Sequence, residues 1–194
     1  AAGGTGCSGS TPRRHAISPT DEVYISYYIK YAAGYNLGSH ETYLLTNKDA
    51  GADGTTASNL AWTHLTVYLD QNNDNPWMSL QDGQNFSRSN PGVNLCAVTE
   101  SRAVAGGNGN CDGIGSDSYW YDGTDYINTK WWTTTGHDLV DGAWHHVEAR
   151  VKLNTVSGAI GQPNGIAQYW LDGNLVFNYT NVIFRTAANS DMLF

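Results

Sequence analysis

From Glu22 onward the chain alternates with period two. Val23, Ile25, Tyr27, Ile29 and Tyr31 fall on one side of an extended backbone, and Tyr24, Ser26, Tyr28 and Lys30 on the other. The clearest such run is 62–70. There Leu65, Val67 and Leu69 form an aliphatic side, while Trp62, His64, Thr66, Tyr68 and Asp70 form an aromatic and polar one. A strand with this pattern belongs in an antiparallel sheet that has one face on a core and the other in water. Residues 39–46 repeat it, with His40, Thr42 and Leu44 alternating against Glu41, Tyr43 and Leu45.

Further strands are predicted at 76–81, 95–104, 142–153, 165–171, 175–180 and 181–186. Asp172-Gly173 between hydrophobic runs marks a tight hairpin. No run of ten or more residues carries a helical period. Many short strands separated by turn signals give an all-β fold, an antiparallel two-sheet sandwich. Residues 1–20, rich in Gly, Ser and Thr, read as an N-terminal arm, and 21–194 as one domain. The Gly/Asn/Asp/Tyr-rich stretch 106–126 reads as a long structureless insertion, a kind of loop that tends to carry function.

Composition narrows the partners. Eighteen acidic residues against ten basic ones leave a net charge of -8, and the only adjacent cations are Arg13-Arg14. Nucleic acid, which needs clustered cations, is therefore excluded as a partner. No apolar run approaches the roughly 18 residues of a membrane-spanning helix, so membrane insertion by a helix is not expected. The small-residue start Ala1-Ala2-Gly3-Gly4 resembles a processed terminus, as in a secreted or cell-surface protein.

Cys7, Cys96 and Cys111 match no zinc spacing. A Cys96–Cys111 disulfide closing a Gly/Asn-rich loop is the first choice, leaving Cys7 free or bonded to another chain. Three buried thiols are the alternative. The sequons at Asn85 and Asn178 have meaning only in a eukaryotic source.

The segment 144–151, Trp-His-His-Val-Glu-Ala-Arg-Val, is followed at 169–176 by Tyr-Trp-Leu-Asp-Gly-Asn-Leu-Val. This pair resembles the signature of the concanavalin A-like lectin/glucanase (laminin-G-like) jelly rolls, in which such a strand precedes an Asp-Gly hairpin. It is also similar to extracellular bacterial domains of this type and to jelly-roll polysaccharide lyases. The resemblance runs from Glu22 to the end of the sequence and implies a jelly roll working outside the cell. Domains of this kind continue past the Phe184-Arg185-Thr186 strand into closing strands. Here the sequence stops at Asp191-Met192-Leu193-Phe194, which reads as the start of a strand. The expectation is a fragment, or an assembly in which another copy supplies the missing strand, with the arm 1–20 as the donor.

Carbohydrate recognition needs rings to stack on sugar faces and planar polar groups to bond hydroxyls. Trp62, His64, Tyr68 and Asp70 supply these on one predicted sheet face, concave in the resembling domains. Glu100 and Arg102, two residues apart, join them, and Trp131 and Trp132 are placed at a rim. The expected partner is a glycan, with no cofactor required. For any single aromatic, core filling is the blander reading; it is weaker for a whole alternate face.

Two other functions compete. One is a structural subunit that associates with copies of itself. The other is a lyase acting on a uronate glycan, with Arg102 neutralising the carboxylate, His64 or His40 as base, and Tyr68 or Tyr126 as acid. His145 and His146, adjacent on a strand, face opposite ways and cannot act together. The paired carboxylates of glucanases are missing, since Glu41, Glu100 and Glu148 stand on separate strands. Asn108, Asn110 and Asp112 resemble the start of a loop for structural calcium, but the twelfth position is Tyr119 instead of Glu. Ordinary Asx-turn chemistry explains them as well.

Overall fold

A computed structural model describes residues 17–34, 38–45, 65–72, 75–81, 85–86, 94–96, 119–121, 126–128, 131–133, 137–187 and 190–194. Among them the regular elements are all strands, in two principal antiparallel sheets.

In chain order the strands are β1 (Glu22–Ile29), β2 (Gly38–Leu45), β3 (Thr66–Asn72), β4 (Asn75–Gln81), β5 (Asn85–Phe86), β6 (Asn94–Cys96) and β7 (Tyr119–Tyr121). They continue with β8 (Tyr126–Asn128), β9 (Trp131–Thr133), β10 (His145–Lys152), β11 (Val156–Ser157), β12 (Ile160–Gly161), β13 (Gly165–Leu171) and β14 (Asn174–Val182). One sheet runs β1-β10-β13-β14 and the other β2-β3-β4-β9. The short strands pair as β5-β6, β7-β8 and β11-β12.

The period-two reading of β1 holds residue by residue. Val23 is buried, Ile25, Tyr27 and Ile29 are half-buried, and Tyr24, Ser26 and Tyr28 are exposed. In β10 and β13 burial alternates strictly, with Val147, Ala149, Val151, Ala167, Tyr169 and Leu171 turned inward. Leu65, Val67, Leu69 and Met78 from the other sheet are fully buried in the same cluster. The two layers therefore share one core, closed by Leu139, Leu153, Phe177, Val182, Ile183, Phe184 and Met192.

Several expectations need correction. The strand predicted at 62–70 begins at Thr66 and runs to Asn72. The alternation of His40 with Thr42 breaks at a bulge, because His40 pairs with Asp70 whereas Thr42 pairs with Leu69. The strand predicted at 175–180 and the first residues of the one predicted at 181–186 are one strand, β14, which ends at Val182. No turn separates them, since the extra residues are absorbed in a register shift where Gly165 pairs with Val182 and Ala167 with Tyr179. Of the strand predicted at 95–104, Leu95 and Cys96 lie in β6, and 97–104 lie outside the described residues. The supposedly structureless insertion holds β7, which pairs with β8. Trp131 and Trp132 lie in β9, the edge strand laddered onto β4.

At the end of the described chain, Phe194 and Thr20 exchange both backbone hydrogen bonds, at 2.8 and 3.1 Å.

Candidate functional site

The outer face of β1-β10-β13-β14 is built by register from strands distant in sequence. Tyr28 lies opposite His146. Next come Ser26, Glu148, Trp170 and Leu175, and then Tyr24, Arg150, Gln168 and Asn178. Each of these positions is the outward member of its alternating strand, so they form one surface. Tyr24 and Tyr28 are each 69% exposed, and Trp144, directly ahead of β10, is 66% exposed.

A polar network crosses this surface. Glu22 Oε1 accepts from Arg150 Nε at 2.7 Å and from the Tyr24 hydroxyl at 3.0 Å, and Arg150 Nη2 lies 2.6 Å from the same oxygen. Arg150 Nη1 donates to Gln168 Oε1 at 3.3 Å, and Gln168 Nε2 donates to Asn178 Oδ1 at 2.8 Å. Lys152 Nζ stands 3.9 Å from the other Glu22 oxygen. The Arg150 hydrogen bond holds the Glu22 carboxyl below its usual range against the opposing effect of desolvation, with Tyr24 and Lys152 adding to it. The bond to Glu22 in turn raises the Tyr24 phenol. The guanidinium also lies over the Tyr24 ring, 5.4 Å from its centroid.

Two rows away, the Tyr28 and His146 rings stack at 4.5 Å, 16° from parallel. Ser26 Oγ and His146 Nε2 are 2.8 Å apart, and His146 Nδ1 is 3.7 Å from Glu148.

The expectation that the adjacent histidines face opposite ways is met. His145 points inward, with Nδ1 2.7 Å from Asp172 Oδ2 and Nε2 3.1 Å from the Val140 carbonyl. Asp172 Oδ1 accepts from the His146 backbone N–H at 2.8 Å. Burial pushes the Asp172 carboxyl up, but the bonds from His146 and His145 outweigh it and hold the group below its usual range. This pair ties the β13–β14 hairpin to β10. His145 thus has a structural task.

The residues singled out from the sequence fall differently. Tyr68 is buried, only 5% exposed, so it does not lie open on a wet face as expected. Asp70 occupies a register position opposite His40 on β2 and Trp77 on β4, and Trp77 is in turn opposite Thr133. The ladder thus brings His40 and Asp70 together, a neighbourhood that alternation alone did not give. Tyr126 pairs with Tyr121 on β7, and Cys96 with Asn85 on β5. Trp62, His64, Glu100, Arg102, Asn108, Asn110, Asp112, Cys7 and Cys111 lie outside the described residues.

Among the described residues no group of three or more His, Cys, Asp or Glu side chains is placed to hold a metal ion. No described helix is long and apolar enough to cross a membrane. The surface that sequence reasoning missed had one signal in it, the exposed Tyr24-Ser26-Tyr28 side of the first strand. What it lacked was the register that sets His146 and Arg150 beside those rings.

No family model matches the chain, and neither does any curated protein. Solved structures similar to it include alginate lyase Aly36B, 14% identical with a TM-score of 0.46, over 91% of this chain and 58% of that one. Another is a doubly substituted form of the same enzyme in complex with an alginate tetrasaccharide, 13% identical at the same TM-score and coverage. The chain thus spans little more than half the length of these proteins. Likeness at this level fixes neither a site nor a chemistry.

Proposed function

We propose that this sandwich is a carbohydrate-binding domain and that the outer face of β1-β10-β13-β14 is its binding surface. The observation that carries the reading is the set of bare rings beside an ordered polar ladder. Tyr24, Tyr28 and Trp144 are each more than half exposed; Tyr24 lies in the Arg150-Gln168-Asn178 row, Tyr28 two rows along β1 from it, and Trp144 just ahead of β10. Sugars are bound by this pairing, rings for their apolar faces and fixed planar groups for their hydroxyls. The rings are held in advance, Tyr28 by its stack on His146 and Tyr24 by Glu22 and Arg150, so binding costs little side-chain ordering.

The test is native affinity electrophoresis in gels containing soluble polysaccharides. Retardation of the native chain, reduced at least about tenfold in affinity by Tyr28→Ala, supports the reading; that factor corresponds to about 1.4 kcal/mol. A chain that migrates unretarded through every polysaccharide tested overturns it. Release of unsaturated products from a polyuronate would also overturn it, in favour of a lyase.

A further inference from the structure

We infer that this face takes an internal stretch of an uncharged polysaccharide and discriminates against polyuronates. The inference rests on the glycan-binding reading above and adds the class of ligand.

The charges of the face are spent on one another. A carboxylate ligand is gripped best by a bidentate guanidinium. Arg150 has already committed Nε and Nη2 to Glu22 and Nη1 to Gln168. Lys152, the other cation that β10 turns outward, also lies toward Glu22. A uronate chain lying along Tyr24 and Tyr28 would meet the half-exposed Glu148 between them and Glu22 beside Tyr24, and would have to displace Glu22 to reach Arg150. Lys30 is a cation at one end of the face, just past β1. A polyanion would gain that contact at the cost of repulsion along the rest, and the net charge of -8 opposes its approach.

An uncharged chain meets no such barrier. The Gln168 and Asn178 amides retain hydrogen-bonding capacity beyond the bond that joins them, and hydroxyls can use it.

The spacing of the rings sets the length. Tyr24 and Tyr28 are four residues apart on one strand, which places them roughly 13–14 Å apart along it. A single sugar ring cannot touch both. A ligand that engages both lies extended along β1 as an oligosaccharide stretch, not as a terminal sugar in a pocket.

The experiment compares hydroxyethylcellulose, mixed-linkage β-glucan and galactomannan with alginate and polygalacturonate in affinity gels. Running buffer contains about 0.15 M salt, so that unspecific charge effects are screened. The native chain, Tyr28→Ala and Glu22→Gln are run together, with folding checked by circular dichroism. The expected result is retardation by at least one uncharged polymer, lost in Tyr28→Ala, and none by the polyuronates. Glu22→Gln releases Arg150 and is expected to gain retardation by a polyuronate.

If the native chain is held more strongly by a polyuronate than by every uncharged polymer, and Tyr28→Ala abolishes this, the ligand class is wrong while the glycan-binding reading stands. Failure of all five polymers to retard the native chain removes the reading itself.

Discussion

The Asn154 side chain, fully buried, stands in for a strand of backbone. Its Oδ1 accepts from the N–H groups of Phe184 and Arg185 at 2.7 and 2.9 Å, and Nδ2 donates to the carbonyls of Arg185 and Thr155 at 2.9 and 3.0 Å. The Asn154 carbonyl accepts from Arg185 Nε at 2.8 Å. Asn154→Ala removes the side-chain partner of four backbone groups, three of them, the Phe184 and Arg185 N–H groups and the Arg185 carbonyl, in buried bonds. It should lower stability by about 2–4 kcal/mol in urea denaturation, because orphaned buried groups cost more than a made bond gains. A loss under about 0.5 kcal/mol would show that the side chain is not what holds the chain after β14. Glu22 provides a second residue-scale prediction. Its folded carboxyl titrates below its unfolded value, so the unfolded chain binds the proton first as pH drops. The stabilising contribution is present above the ordinary carboxylate value and is lost as pH falls through the lower folded one. The thermal midpoint should therefore decline as pH falls below the ordinary carboxylate range, and Glu22→Gln should make that decline shallower.

At the scale of elements, the β13–β14 hairpin shows how far local sequence determines structure. Asp172 and Gly173 both take positive φ, 50° and 78°, the backbone of the two-residue turn that an Asp-Gly pair signals. A Cβ on Gly173 would meet nothing within 4 Å, so Gly173→Ala should cost only the backbone strain, roughly 1–2 kcal/mol. Gly165 is the opposite case. Its φ is ordinary, but a Cβ there would lie 2.5 Å from the Val182 carbonyl oxygen and 2.9 Å from the Phe184 ring. Backbone cannot yield as a side chain does, so Gly165→Ala should cost about 3 kcal/mol or more. Equal losses in thermal unfolding of the two variants would contradict this account. The turn was legible in the sequence because two adjacent residues determine it. The two faces of β1 were legible because period two is a local property. The bulge at His40 and the continuous run of β14 were not, since both depend on what the partner strand does. Nor was the pairing of β9 with β4, about fifty residues apart in the chain.

At the scale of the whole molecule, the inner and outer sides of the sheets divide the work between core and surface. Leu65, Val67 and Leu69 were legible as core because each stands in a clean aliphatic alternation, and all three are fully buried. Tyr68 was assigned to the wet side by the same alternation and is nevertheless buried, since alternation says which way a residue points but not what covers it. The surface now proposed to bind glycan was illegible for a different reason. Its central contact, Ser26 with His146, joins residues 120 positions apart, and only the β1–β10 register brings them together. This division separates two kinds of substitution. Leu69→Ala removes methyl groups from the shared core and should destabilise by about 2–5 kcal/mol. Tyr28→Ala removes an exposed ring whose held contact is its stack on His146, worth about 0.5–1.5 kcal/mol. Thermal unfolding and gel retardation measured on the same samples should therefore diverge. Leu69→Ala should melt early yet bind normally while folded, and Tyr28→Ala should melt close to the native chain yet fail to bind. If both properties fall together in Tyr28→Ala, the ring is a structural prop and the surface has no separate task.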